Sequence, residues 1–225
     1  MRTTILTCAF AVLLSFAPAV SEASLQIGSK VTFDTSLPGT YGGQFLLTDG
    51  GSDAGKEVSA FETFCVELTE FVANGGTYMV TGIGDITVQG GRTLTNYAAW
   101  LYTEFRQGTL NGFSSSSTND ANALQYAFWR EMQYSDADIN NALPGSPAAA
   151  YKALYDAESW LADYIADGSW NKAVGYLGAV RVINLQTIDG KHAQDQLVLV
   201  PEASTLAVWS VLCLAGLIAY RRQLG

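Results

Sequence analysis

The chain has 225 residues and a formal net charge of −9, with 48% hydrophobic residues, three cysteines and one histidine. An acidic surface repels nucleic acid, and the sequence has no basic stripe, so no nucleic-acid partner is expected. A zinc site or a Ser-His-Asp triad would depend on His192 alone, and no Gly-x-Ser-x-Gly turn is present, which makes a metal enzyme or a hydrolase the least favoured class.

The N-terminus predicts a Sec-type signal peptide over residues 1–23. A basic start is followed by an apolar run from 5 to 16, and small residues precede plausible cleavage points after Ala19 or Ala23. A buried N-terminal helix is the alternative. Cys8 lies inside the apolar run and is expected to leave with the peptide.

Residues 24–199 are predicted to form one extracellular domain. Partial alternation, β-branched residues and Gly-rich turns indicate strands in its first part and again at its end, with helical spacing between them. This order predicts an α+β fold, an antiparallel β-rich body with a helical insertion. The predicted strands are 30–36, 43–49, 57–68, 77–89, 180–188 and 195–200.

The stretch "TFCVELTEF" carries Cys65, the single cysteine left once Cys8 and the C-terminal Cys213 are set aside. An unpaired cysteine in an exported domain indicates an intermolecular bond or a reactive thiol, and a small buried hydrophobe is the alternative. In a strand, Cys65 shares a face with Thr63 and Glu67, opposite the more apolar side. Glu67 is therefore a candidate to take protons there, or else a solvated carboxylate.

Two helices are predicted in the first half of the insertion. Leu94, Tyr97, Leu101 and Phe105 recur at helical spacing, and after a serine-rich loop Thr118 or Asn119 can cap the second helix.

In that second helix, Gln125 falls inside the apolar arc. A buried amide without partners costs about 1–3 kcal/mol. Gln125 is thus either bonded to nearby backbone or no longer an amide.

The remaining helical region contains "DADIN" at 136–140, which opens like a calcium loop but has Asn141 and Pro147 where glycine and glutamate are needed. We expect no calcium site there. A further helix is predicted from Ser146, as its cap, to Gly168 at its end, with an apolar stripe. The stripe consists of Tyr151, Leu154, Tyr155, Leu161, Tyr164 and Ile165.

The C-terminal segment 200–225 combines Val200-Pro201-Glu202, an uncharged stretch at 205–220 and the pair Arg221-Arg222. A helix over 205–220 is a marginal membrane span, and the arginines predict a stop-transfer signal that keeps this end in the cytoplasm. A buried core helix is the alternative.

This three-part layout resembles the PEP-CTERM sorting tail of exopolysaccharide-producing Gram-negative bacteria. The resemblance implies recognition and removal by an exosortase-type membrane protease. Ala203 stands where the family has a second proline.

The domain itself resembles the thioester domains of bacterial surface proteins. Phe64-Cys65-Val66-Glu67 matches the family's strand motif, and Leu124-Gln125-Tyr126-Ala127-Phe128-Trp129 matches its helix motif. The resemblance implies that the Cys65 thiol attacks the Gln125 carboxamide, ammonia leaves, and an internal thioester remains. Trp129, one turn after Gln125, would shield the bond from water, with ordinary core packing as the alternative.

The sequence thus predicts a cell-surface or biofilm-matrix protein, transiently membrane-anchored, that attaches covalently to an amine-bearing protein or amino sugar. One bond per molecule is not turnover, so no enzyme activity is expected, and no cofactor or metal is implied. The competing interpretation is noncovalent adhesion to carbohydrate or matrix through exposed tyrosines and tryptophans.

Overall fold

A computed structural model of the protein describes residues 25–53, 55–168, 170 and 177–200. Within them the fold is α+β, an antiparallel six-stranded sheet with five helices inserted between its fourth and fifth strands. The strands are β1 Lys30–Asp34, β2 Gly43–Asp49, β3 Phe61–Phe64, β4 Thr77–Gly84, β5 Val180–Thr187 and β6 His192–Leu199. The helices are α1 Asn96–Gln107, α2 Thr118–Glu131, α3 Asp136–Ala142, α4 Ala148–Asp156 and α5 Trp160–Asp167.

The sheet has the order β3-β2-β1-β4-β5-β6, and every neighbouring pair is antiparallel. Its two edges approach each other just beyond β3, where Cys65 pairs with Gln196 of β6. The Val66 N–H donates to the Asp195 carbonyl at 3.0 Å beside this bridge. The chain after β3 therefore leaves β2 and joins the far edge of the sheet.

The core lies between the sheet and the helices α1 and α2. Both helices have an apolar face, and their N-caps Thr95 and Ser117 accept a backbone N–H in the first turn. Aromatic rings from strand and helix meet at edge-to-face angles, as between Phe64 and Phe105. Phe128 of α2 also packs on Phe64, with ring centroids 5.3 Å apart, so α2 lies against the strand end that precedes Cys65.

Several predicted strand boundaries are wrong. The strands predicted at 57–68 and 77–89 are the short β3 and the β4 that ends at Gly84, while β6 begins at His192 instead of residue 195. Alternating side chains show where the backbone is extended, but not where its hydrogen-bonded partner changes. Past Phe64 the chain exchanges its pairing with β2 for a single bridge from Cys65 to Gln196 of β6, and it bends at Val66.

The single helix predicted from Ser146 to Gly168 is two helices, α4 and α5. Ser146 is not a cap, because Pro147 holds the N-cap position without a side-chain bond, whereas the end at Gly168 is confirmed by its left-handed backbone. The break after Asp156 resets the helical phase. As a result Trp160 and Tyr164 are buried while Leu161 and Ile165 of the predicted stripe are exposed.

Candidate functional site

Cys65 is held at the junction between the two edges of the sheet. Its N–H donates to the Gly42 carbonyl at 3.0 Å on the β2 side, and it pairs with Gln196 on the β6 side. The prediction of a less apolar face for this side chain misses its burial, since Cys65 is 0% exposed. Both faces of the chain are covered here because the sheet lies on one side and the helices on the other.

Gln125 is presented to Cys65 by α2, the helix that Ser117 caps in place of the predicted Thr118 or Asn119. The Gln125 side chain is 0% exposed, as its position in the apolar arc predicts. A carboxamide in such surroundings requires hydrogen-bond partners. Its partners are atoms of Cys65, sixty positions earlier in the chain.

The thiol and the carboxamide are in contact. Cys65 Sγ lies 3.6 Å from Gln125 Oε1, and Gln125 Nε2 donates to the Cys65 carbonyl at 2.8 Å. These two bonds fix the amide plane, so the sulfur faces the carbonyl end of the carboxamide. The carbon that a thiol nucleophile would attack, Gln125 Cδ, is bonded directly to the oxygen that the sulfur contacts.

A glycine pair, Gly42-Gly43, lies directly over the contact. A Cβ added at Gly42 would stand 2.5 Å from Trp129 Cζ2, 2.8 Å from Cys65 Sγ and 3.1 Å from Gln125 Cδ. A Cβ at Gly43 would stand 2.8 Å from Gln125 Oε1. Only a residue without a side chain fits, so these glycines belong to the site.

Gly42 and Gly43 are not among the site residues that the sequence predicts. The available signal was the pair "GG" at the start of β2, where glycine often marks the close approach of another group to the backbone.

A pocket of about 180 Å³ lies on the outer side of Gly42. Its lining has no charged residue and includes Tyr41, Phe71 and Gln194. Phe71 is 63% exposed and stands at the surface. Gly42 therefore borders both this pocket and the buried contact between Cys65 and Gln125.

Burial raises the pKa of the Cys65 thiol far above its usual range. The Trp129 side chain acts in the opposite direction, the Glu67 charge raises the pKa further, and the Glu67 N–H lowers it. The resting sulfur is therefore a neutral thiol, and any thiolate must form transiently beside these donors.

Glu67 has a different setting from the one expected. It is 0% exposed, so it is not a solvated carboxylate. Oε1 accepts from the Gln89 N–H at 2.8 Å, and Oε2 lies 3.0 Å from both the Asp195 N–H and His192 Nε2. These bonds connect the segment after Cys65 to β6 and to the turn after β4. A role of Glu67 in proton transfer stays a prediction.

Glu67, His192 and Asp195 offer ligand atoms within 4.8 Å of one another, the geometry of a possible metal site. However, the Asp195 carboxylate is also occupied by hydrogen bonds. Oδ1 accepts from the Leu185 N–H, and Oδ2 accepts from the Val88 N–H and the Asn184 amide. With N–H groups directed at both carboxylates, this cluster has the chemistry of a hydrogen-bonded polar core.

The segment "DADIN" forms the helix α3. Its capping box joins Ser135 and Asp138, and Asp136 accepts from the Tyr126 hydroxyl at 2.8 Å. The acidic side chains expected to resemble a calcium loop thus serve as helix-cap and hydrogen-bond partners.

The predicted signal peptide at 1–23 and most of the sorting tail, including Pro201, Glu202, Arg221 and Arg222, lie outside the described residues. In the ranges that are described, none of the helices has the length and hydrophobicity needed to cross a membrane.

No protein-family model matches the chain, and no curated protein or solved structure matches it. Its interpretation therefore depends on the geometry above. That geometry combines a buried thiol, a buried carboxamide in contact with it, and a side-chain-free backbone that covers both.

Proposed function

We propose that this chain is an exported bacterial surface or matrix protein that attaches covalently to its partner through a Cys65–Gln125 thioester. The observation that carries the proposal is the 3.6 Å contact between Cys65 Sγ and Gln125 Oε1 in a fully buried setting. A lone thiol against a lone carboxamide is the pair of groups from which this bond forms.

The chemistry balances without a cofactor. The sulfur bonds to Gln125 Cδ, the Cδ–Nε2 bond breaks, and the thiol proton leaves with the nitrogen as ammonia. A partner amine later bonds to Cδ, the Cδ–Sγ bond breaks, and the proton lost by the amine restores the Cys65 thiol. One amide bond per molecule results, which is attachment and not turnover.

The burial of the pair fits a stored electrophile. Water is kept from the bond by Trp129 and by Gly42-Gly43, which pack directly against it. The neighbouring pocket has no charged lining, and desolvation there would favour the neutral, nucleophilic form of an approaching amine.

Intact mass of the purified protein tests the bond. The wild-type mass is expected to fall short of the full formula by one ammonia, whereas Cys65→Ala and Gln125→Glu should show full masses for their sequences. Methylamine should add to the wild type alone and release one titratable thiol. A full-formula wild-type mass with a free thiol would end the proposal.

Export and sorting form the second half of the proposal and depend on sequence alone. Residues 1–23 would direct secretion, the helix at 205–220 would anchor the chain transiently with Arg221 and Arg222 on the cytoplasmic side, and Val200-Pro201-Glu202 would present the tail to an exosortase-type protease. Replacing Pro201 and Glu202 by alanine should leave the uncut protein in the membrane fraction. Equal release of the variant and the wild type would contradict this role.

Noncovalent adhesion to carbohydrate or matrix has less support. The described tyrosines and tryptophans are buried or half-buried, with only Tyr41, Tyr155 and Trp170 in the second group, whereas that interpretation needs rings at the surface. Glycan binding that persists in Cys65→Ala would favour it.

A further inference from the structure

The indole N–H of Trp129 is a buried donor without a hydrogen-bond partner. Trp129 is 1% exposed, and Nε1 is one of four buried side-chain nitrogen or oxygen atoms in the described ranges that lack a partner. A buried donor left unsatisfied costs about 1–3 kcal/mol. Such a group in a packed core calls for a reason, and function is one.

The polar edge of this indole faces the thiol and the carboxamide. α2 places Trp129 one turn after Gln125, on the same side of the helix. The point above Gly42 that lies 2.8 Å from Cys65 Sγ and 3.1 Å from Gln125 Cδ is only 2.5 Å from Trp129 Cζ2. Cζ2 belongs to the edge of the ring system that carries Nε1, so sulfur, carboxamide carbon and indole edge converge on one spot.

The indole also acts on the charge of the sulfur. Among the groups that lower the pKa of Cys65 against the effect of burial, Trp129 has the largest influence and the Glu67 N–H a smaller one. The negative charge of Glu67 works against both. Nε1 has no partner that meets hydrogen-bond geometry in the resting protein, and a negatively charged sulfur beside it would be an acceptor.

We propose that Trp129 Nε1–H is the hydrogen-bond donor that stabilises the Cys65 sulfur as it becomes anionic during thioester formation and thioester opening. The inference rests on the proposed thioester. The indole proton is not transferred. It faces the sulfur while the thiol proton passes to the departing ammonia, and again when the sulfur leaves Cδ as the amine bonds to it.

This role predicts a specific kinetic signature. A donor that acts on the transient anion speeds both directions equally and leaves the final ratio of thioester to thiol unchanged. A residue that merely shields the bond or supports the fold would instead change the hydrolysis rate or the fraction of folded protein.

The test uses Trp129→Phe, which keeps an aromatic ring and removes the donor. Ammonium salt should convert the wild-type thioester back to the Gln125 amide and the free thiol, and after ammonia is removed intact mass follows reformation. Both rates are expected to fall about 10- to 100-fold in Trp129→Phe, the range for a hydrogen bond to a charged group. The final ratio should not change.

Trp160→Phe is the matched control. Trp160 is also fully buried, but its N–H donates to the Asn111 carbonyl at 2.7 Å, away from Cys65. This variant should lose stability and keep both rates. If Trp129→Phe does not fold, an analogue with benzothiophene in place of indole preserves the ring shape while it lacks the N–H.

The outcomes separate the two proposals. A wild-type thioester with unchanged rates in Trp129→Phe overturns the role of Trp129 and leaves the thioester in place. A wild-type protein that has lost no ammonia overturns both. Slower rates in both directions, with Trp160→Phe unaffected, support the donor.

Discussion

Cys65 and Glu67 are two residues apart, on either side of a bend at Val66, and both are 0% exposed, yet their surroundings differ. Glu67 accepts hydrogen bonds from two backbone N–H groups and lies 3.0 Å from the His192 ring nitrogen. Cys65 meets a single carboxamide, a backbone without side chains, and an indole whose N–H has no partner.

The difference separates stability from reactivity. A buried polar group whose partners are all in place holds the fold, and disturbing it releases the full desolvation penalty. A buried group that lacks a hydrogen-bond partner adds no such support, and the proposed role of Trp129 gives it a partner only during the reaction. Substitutions around Glu67 should therefore change mainly the free energy of unfolding, whereas substitutions around Cys65 should also change thioester formation.

Removing Glu67 should be the most damaging change. Glu67→Ala leaves the N–H groups of Gln89 and Asp195 without their acceptor and His192 without its partner, and each buried donor left unsatisfied costs about 1–3 kcal/mol. Urea unfolding measures the loss. Asp85→Ala, at an exposed position, should stay within about 0.5 kcal/mol.

Glu67→Gln distinguishes a structural role of Glu67 from a role as a base in the reaction. We expect reduced stability but undiminished loss of ammonia in the folded protein, because the carboxylate is engaged with β6 and the turn after β4. Loss of thioester formation with unchanged stability would instead place Glu67 in the reaction, as the base that the sequence analysis predicted.

A methyl group at Gly42 should lower the stability of the fold and also prevent thioester formation. Gly42 has φ +85°, a conformation that costs an L-residue about 1–2 kcal/mol, and overpacking adds about 1–3 kcal/mol. Gly51→Ala is the matched control, since Gly51 has φ +83° with nothing within 4 Å of the added Cβ.

The difference between the two alanine variants isolates the contact with Cys65, Gln125 and Trp129. Gly42→Ala should also retain its ammonia, because the methyl group separates the thiol from the carboxamide. If the two variants have equal free energies of unfolding and both lose one ammonia, Gly42 does not cover the site.

Much of this site could be predicted because its chemistry is local. Gln125 is out of place in the apolar arc of a helix, and Cys65 is the one cysteine of the predicted domain, so each residue is conspicuous within its own segment. The α+β order follows in the same way from the change of hydrophobic period between strands and helices.

The parts that could not be predicted depend on distant segments that meet only in the fold. The acceptor role of Glu67 needs His192, 125 positions later, and nothing near either residue indicates the other. Likewise, the exposure of Leu161 follows from a helix break that helical periodicity does not show.

The polar core should make stability fall as the pH rises. Burial, with the nearby Glu67 charge, raises the pKa of Asp195 from 3.8 to about 6. A raised carboxyl pKa means that the folded state binds the proton more tightly, so this contribution is complete below pH 3.8 and is lost through pH 6. The expected loss between pH 4 and pH 7 is about 1–3 kcal/mol.

Urea unfolding across this range measures the slope, in a His192→Gln background that removes the one histidine of the sequence. Asp195→Asn should flatten the slope relative to the same background. An unchanged slope in Asp195→Asn would show that other groups cause the pH dependence of stability. The hydrogen bonds around Glu67 would then stabilise the fold without a contribution from Asp195 protonation.

Thr63→Val should have the smallest effect on stability. It tests whether a second donor to the same carbonyl can replace the lost hydroxyl. Thr63 lies two residues before Cys65 and is also 0% exposed, and its hydroxyl donates to the Leu197 carbonyl at 2.6 Å. That carbonyl also accepts from the Tyr102 hydroxyl at 3.1 Å, so the single variant leaves no orphan acceptor and should cost about 1 kcal/mol or less. Adding Tyr102→Phe removes the second donor, and the double variant should lose more stability than the sum of the single variants. Simple additivity would mean that the two hydroxyls do not substitute for each other, and that the strand beside the thiol depends on each of its bonds separately.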